Sequence, residues 1–182
     1  NYHLEKDNAV IRQFWGKTTV FSATAFYYFS KGGRVQQLLH NLKYNGKKEV
    51  GMEVGKLFGR ELKESPLFNT VNCVIPVPLH PSKKKTRGYN QSDFISDGIA
   101  AGMNIPSEKE ILIRATATST QTKKSAFERW LNVESIFKIR NENKIEGKHI
   151  LLVDDVITTG STFESCVATL LLVPGTIVSI AA

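Results

Sequence analysis

Residues 150–162 read Ile-Leu-Leu-Val-Asp-Asp-Val-Ile-Thr-Thr-Gly-Ser-Thr, and no other run constrains the chain as much. Four consecutive apolar residues fit a strand buried on both faces, which arises where helices cover both sides of a parallel sheet. Two carboxylates, Asp154 and Asp155, stand at the carboxyl end of that strand. A short loop of hydroxylated residues with one glycine then leads into a helical pattern over 162–172. In open α/β sheets, ligands bind outside the carboxyl ends of the strands, so this run predicts both an architecture and the place of a site.

The chemistry of the run narrows the ligand. The hydroxyls of Thr158, Thr159, Ser161 and Thr162, with the backbone N–H groups of the Gly160 turn and of the helix start, suit a phosphate monoester and require no lysine. Adjacent carboxylates can accept hydrogen bonds from two vicinal hydroxyls while keeping Mg²⁺ close. A phosphate on one side and a diol on the other describe a ribose 5-phosphate. A strand ending in Asp-Asp also occurs in phosphate-loop NTPases, but the chain contains no G-x-x-x-x-G-K-[ST]. Simple helix capping would use one acid and one hydroxyl, not two acids and four hydroxyls in so short a run.

The rest of the chain predicts the same class. Val35, Leu38, Leu39 and Leu42 follow one helical face, and residues 47–64 continue with Val50, Val54, Leu57, Phe58 and Leu62. Gly51, Gly55 and Gly59 recur at every fourth position, a line along which another backbone can approach closely. Ser65-Pro66 ends that helix. Residues 19–29 are β-branched and aromatic, predicting one or two strands. Beyond residue 70, strand signals at 71–77, 111–114, 135–139, 150–153 and 176–180 alternate with helical ones at 92–103, 125–131 and 162–172. That alternation predicts an α/β fold, a mostly parallel sheet flanked by helices. The division expected is a small N-terminal hood of strands and helices over 1–65 and a core over 66–182, forming one compact unit. The Thr-rich stretch 115–124 has no periodicity and is expected to be a mobile loop.

Charge and cysteine content exclude other classes. The net charge is +7, yet residues 151–182 carry no Lys or Arg and three acids, while all 24 basic residues lie in 1–150 with 14 of the 17 acidic ones. A basic body suits partners bearing phosphate. No apolar stretch approaches the ~20 residues needed to span a bilayer. The two cysteines, Cys73 and Cys166, have no CxxC partner and fall in apolar elements, so inert core thiols in a reducing cytoplasm are expected. The chain opens on Asn1 rather than Met with no signal-peptide pattern, as a piece of a longer protein would.

The run LLVDDVITTGST resembles the phosphoribosyl-pyrophosphate loop of type I phosphoribosyltransferases. The segment VIPVPLHPSKKKTRGYNQ over 74–91 resembles the PVPLHP and RGxNQ motifs of the ComF competence family, which carries that fold. Arg114, Gln121, Arg129, Asn132 and Phe137, and the LKY run at 42–44, fall on the same family pattern. The resemblance implies a phosphoribosyltransferase, similar to amidophosphoribosyltransferases in its core, that uses Mg²⁺. It implies that Asp154 and Asp155 are the catalytic carboxylates, meeting the ribose hydroxyls. Thr158, Thr159, Gly160, Ser161 and Thr162 would hold the 5′-phosphate. The segment 80–87 corresponds to a pyrophosphate-binding loop, with His80, Lys85 and Arg87 as its candidates, and the stretch 115–124 to a lid over the reacting centre. Magnesium would be held near Asp154 and Asp155 through the ribose hydroxyls and pyrophosphate, without a dedicated metal site. The family often begins with a four-cysteine zinc module, which does not occur from Asn1 onward, and the acceptor is not legible. Some proteins of this fold bind the ligand without turnover. A second reading therefore stays open, a competence-related protein handling single-stranded DNA through its basic body, with Tyr44 and Tyr89 available to stack on bases. A homodimer is compatible with either.

Overall fold

The computed structural model describes residues 2–27, 30, 32–44, 47–114 and 136–182. Its strands are β1 (Ala23–Thr24), β2 (Cys73–Pro76), β3 (Leu112–Arg114), β4 (Phe137–Ile139), β5 (His149–Val153) and β6 (Ile177–Ala181). Its α-helices are α1 (Arg34–Tyr44), α2 (Lys48–Glu64), α3 (Pro81–Arg87), α4 (Gln91–Met103) and α5 (Ser161–Leu170). Four strands form a parallel sheet in the order β1-β6-β5-β2. β3 and β4 pair antiparallel as a separate two-stranded sheet.

The sheet is covered on both faces, as the unbroken apolar runs predict. All five residues of β5 and all four of β2 are buried. Alternate side chains serve opposite faces: Cys73, Ile75, Ile150, Leu152, Val178 and Ile180 pack with α5, β4 and the N-terminal turns, and Val74, Leu151, Val153 and Ala181 pack under α2 and α4. On α5 the buried residues Phe163, Cys166, Val167 and Leu170 keep the i, i+3, i+4, i+7 spacing of one helical face.

The glycine line of α2 meets a second one on α4. A Cβ on Gly55 would overlap the carbonyl oxygen of Ile95, and one on Gly59 that of Ile99; a Cβ on Gly98 would overlap Met52 O, and one on Gly102 would lie 2.5 Å from Lys56 O. The two backbones touch directly along this seam.

Residues before 66 contribute to the same sheet and the same cores. β1 is its edge strand, and α2 lies over the face that α4 covers. Asn8 ties the N-terminal turns to β1: its Nδ2 donates to Ala23 O at 2.8 Å and its Oδ1 accepts from Val10 N at 2.9 Å.

Residues 19–29 yield one of the one or two strands expected, two residues long among their described positions, and the N–H groups of Phe21 and Phe26 donate to β6 and to Ala182. One expectation is corrected. Residues 80–87 form no open loop but the short helix α3. His80 is its N-cap, Pro81 occupies the first turn, and Gly88 at φ 79° ends it, an order of signals that favours a helix. Asn90 is the N-cap of α4 and Gln91 its first residue. The expected lid at 115–124 and helix at 125–131, with Gln121, Arg129 and Asn132, lie outside the described residues.

His149, at the start of β5, is 5% exposed. Its Nδ1 and Nε2 each share a 2.8 Å hydrogen bond, with Thr70 Oγ1 and Ser179 Oγ. Burial lowers its pKa from the ordinary 6.5. The folded chain therefore favours the neutral ring, and unfolding takes up a proton once the pH drops below that ordinary value, so stability present above it is lost as pH falls. The melting temperature is expected to fall between about pH 7.5 and about pH 5.5, and less steeply in His149→Gln. Equal slopes for both proteins would refute that assignment.

Candidate functional site

The chain leaves β5 at Val153 and turns at Asp154 and Asp155. Asp154 Oδ1 accepts the Ser92 hydroxyl at 2.7 Å and the Asp155 N–H at 2.8 Å, so one oxygen is oriented by two donors. Ser92 is 2% exposed in the first turn of α4. No periodicity marks it, and reasoning from sequence missed it.

Beyond the carboxylates, Thr158 and Thr159 are exposed, Gly160 is buried, and Ser161 and Thr162 are exposed in the first turn of α5. Gly160 is the N-cap residue, at φ +80°, a region where side chains other than Gly are strained. A Cβ there would also lie 3.1 Å from the Phe14 ring, which meets Phe163 edge-on at 6.4 Å. Thr159 and Ser161 hydroxyls are 3.1 Å apart. The loop thus presents hydroxyls outward while its glycine is backed by an aromatic ring from the N-terminal segment. Lys17 Nζ reaches Glu164 Oε1 at 3.0 Å beside it. Neither Phe14 nor Lys17 carried a sequence signal for this role, because both act from more than a hundred residues away.

The second predicted segment leaves the sheet next to the first. β2 and β5 are neighbours in register, Pro76 opposite Val153, and Val77 N donates to Val153 O at 2.8 Å. Within that segment His80 serves the fold, since its Nδ1 accepts from Ser82 N at 3.2 Å and shares a 2.7 Å bond with Ser82 Oγ, capping α3. Lys83, Lys84 and Lys85 are exposed on α3. Arg87 Nη1 donates to Gln91 Oε1 at 2.9 Å. Asn90 Nδ2 donates to Val77 O at 3.0 Å, and the Tyr89 hydroxyl to Leu42 O. The RGYNQ run therefore ties α1, the end of β2 and α4 together.

A cavity of about 280 Å³ opens at the carboxyl end of the sheet. Asp154 and Asp155 line it on one side, and Leu38, Val54 and Phe58 of α1 and α2 on the other. Residues 158–162, His80, Lys85 and Arg87 are not among its lining. The structure thus brings the two carboxylates to a cavity under the N-terminal elements and leaves the other candidates on adjoining surfaces.

Cys73 and Cys166 are free and buried, and burial pushes the Cys73 thiol up to about 11 and raises Cys166 further. Neither is a nucleophile at neutral pH. Among the described residues, no three His, Cys, Asp or Glu side chains converge as a metal cage would require. Two adjacent carboxylates do fit Mg²⁺, which keeps several waters and takes one or two carboxylates with substrate phosphates. No helix of the described residues is long and apolar enough to cross a membrane.

The phosphoribosyl transferase domain family matches residues 109–182. The chain is 32% identical over 128 residues to the DNA utilization protein YhgH of Escherichia coli O157:H7, covering 69% of this chain and 56% of that protein. It is 36% identical over 104 residues to competence protein F of Haemophilus influenzae, covering 57% and 45%, and 36% over 89 residues to competence protein ComFC of Bacillus subtilis, covering 49% and 34%. The chain spans about half the length of the first of these relatives. Among solved structures, the fold matches a glutamine phosphoribosylpyrophosphate amidotransferase from Bacillus subtilis with TM-score 0.51 at 21% identity, over 78% of this chain and 30% of that one. With its parallel sheet, its carboxylate-ended central strand and these relatives, the chain has the type I phosphoribosyltransferase fold and is similar to the ComF family of competence proteins.

Proposed function

We propose that this chain binds phosphoribosyl pyrophosphate together with Mg²⁺ and transfers the ribose 5-phosphate to a nucleophilic acceptor. The observation that carries this reading is the sequence of parts at the end of β5: Asp154 and Asp155, then a hydroxylated loop with Gly160 at φ +80°, then the N-terminus of α5. Asp154 and Asp155 accept hydrogen bonds from the two ribose hydroxyls. Thr158, Thr159, Ser161 and Thr162, with the backbone N–H groups about Gly160, hold the terminal phosphate. Lys85 and Arg87 face the pyrophosphate from α3. The acceptor's lone pair forms a bond to the anomeric carbon as the bond from that carbon to pyrophosphate breaks, and that electron pair departs with the pyrophosphate. When bound near Asp154 and Asp155, Mg²⁺ supplies shielding of the leaving group's charge. The protein's part is positioning, which alone accounts for several kcal/mol of barrier in well-oriented reactions.

Calorimetric titration with phosphoribosyl pyrophosphate and Mg²⁺ tests the binding, and pyrophosphate release across a panel of acceptors tests the transfer. Saturable binding that chelation of the metal removes is expected; no binding would overturn the reading. Tighter binding of single-stranded DNA, weakening as salt rises, would favour the DNA-handling reading instead.

Ser92→Ala is expected to weaken that binding about 10-fold, the scale of one hydrogen bond to a charged group, while the protein stays folded. Ser92→Thr restores the hydroxyl and should recover most of the loss. Binding unchanged in Ser92→Ala would show that Asp154 is oriented without it.

A further inference from the structure

The first turn of α4 holds two groups of the site through consecutive buried residues. Ser92 donates to Asp154, and Gln91 beside it is 1% exposed. Arg87 Nη1 donates to Gln91 Oε1 at 2.9 Å. A guanidinium can only donate, so the amide oxygen of Gln91 must face it and the amide nitrogen must point away. That nitrogen, Nε2, is shielded from water and has no acceptor among the described residues. A buried N–H without a partner costs stability, and an unbranched apolar side chain would avoid the cost. Gln91 is therefore a poor residue for packing alone and a good one for holding Arg87. Within the segment 80–87, Lys83, Lys84 and Lys85 are exposed, whereas Arg87 is half-buried and tied to a side chain whose own burial restricts its rotamers. The amide also adds no charge. A carboxylate would fix the guanidinium too but would offset its charge, as Asp7 does for Arg12 at 2.7 Å.

We infer that Gln91 is a positioning residue, whose amide oxygen presents the Arg87 guanidinium to a pyrophosphate group without adding negative charge beside it. Arg87 touches the ligand, and Gln91 acts only through Arg87. Gln91 and Ser92 thus place a cation and a carboxylate from one helical turn. The assignment of the ligand as phosphoribosyl pyrophosphate rests on the reading above; the action of Gln91 on a pyrophosphate group does not.

The test titrates three ligands by calorimetry: inorganic pyrophosphate with Mg²⁺, phosphoribosyl pyrophosphate with Mg²⁺, and ribose 5-phosphate. The proteins are the parent, Gln91→Met, Gln91→Glu, Arg87→Met and the Arg87→Met/Gln91→Met double variant. Gln91→Met is expected to weaken both pyrophosphate ligands about 10-fold, the scale of one oriented hydrogen bond to a charged group. Ribose 5-phosphate affinity should be unchanged, and the melting temperature no lower than the parent's. Gln91→Glu should weaken both pyrophosphate ligands at least as far. On the Arg87→Met background, Gln91→Met should cause no further loss, because the partner through which it acts is gone. Equal weakening of all three ligands in Gln91→Met would reveal a merely structural role. That result, unchanged pyrophosphate affinity in Gln91→Met, parent-like affinity in Gln91→Glu, or a full further loss in the double variant would each overturn the inference. The expected pattern with inorganic pyrophosphate, in a protein that does not bind phosphoribosyl pyrophosphate, would support the inference and overturn only the phosphoribosyl reading. Binding of none of the three ligands by the parent would overturn both.

Discussion

Replacing Asp154 and Asp155 together by asparagine is expected to abolish measurable binding of phosphoribosyl pyrophosphate while leaving the protein folded. Each carboxylate is proposed to accept a hydrogen bond from a ribose hydroxyl and to hold positive charge near the pyrophosphate. Hydrogen bonds to charged groups contribute about 1.5–3 kcal/mol each, so losing two weakens binding by roughly 100-fold or more. The single variants are expected to lose about 10-fold each. The substitution is nearly isosteric, and an amide oxygen in place of Asp154 Oδ1 can still accept from Ser92 Oγ and from the backbone N–H that follows, the two contacts that now orient the side chain. The melting temperature of the double variant should therefore stay within about 4 °C of the parent, about 1 kcal/mol for a domain of this size. Calorimetry and thermal melting on the same preparations check both halves. Equal affinity in parent and double variant would remove the carboxylates from the site.

Much of this site was legible in the sequence because its parts are contiguous. Strand, carboxylates, hydroxyls, glycine and helix follow one another between residues 149 and 170, and local order fixes their geometry: an unbroken apolar run forms a strand buried on both faces, and Gly160 supplies a positive φ that the turn needs. What escaped was non-local or depended on punctuation read too loosely. Ser92 reaches Asp154 across 62 positions, and Phe14 backs Gly160 from the N-terminal segment, so neither leaves a local pattern. The segment 80–87 did carry its signals, His80 as a cap acceptor, Pro81 at the first turn and Gly88 after the last; the resemblance implied a pyrophosphate-binding loop there, but lysine has good helix propensity. The glycine line on α2 was legible, whereas its complement Gly98 and Gly102 on α4 makes sense only once the two helices are seen to touch.

That seam carries the largest expected change in stability. Gly55→Ala places a methyl against the Ile95 carbonyl oxygen and Gly59→Ala one against that of Ile99. The obstacle in each case is backbone, which cannot rotate aside as a side chain would, so the helices must separate. Overpacking in a fitted core costs typically 1–3 kcal/mol and more when nothing can yield, against a gain of about 1 kcal/mol in helix propensity for Gly to Ala. The clash wins at both positions. α2 and α4 together cover one whole face of the sheet through Phe58, Leu62, Ile99 and Met103, so separation also loosens contacts with Val74, Leu151 and Val153 beneath. Each single variant is expected to lose about 2 kcal/mol or more, and the double variant to approach the 5–15 kcal/mol total stability of an ordinary domain. Gly55 also lines the cavity, with Val54 and Phe58 beside it, so parting of the helices in Gly55→Ala also disturbs one wall of the cavity. As a control, Glu53→Ala on the exposed side of the same helix should melt within about 2 °C of the parent. Denaturant unfolding of these proteins decides the point: Gly55→Ala and Gly59→Ala as stable as Glu53→Ala would mean that the helices can part without cost.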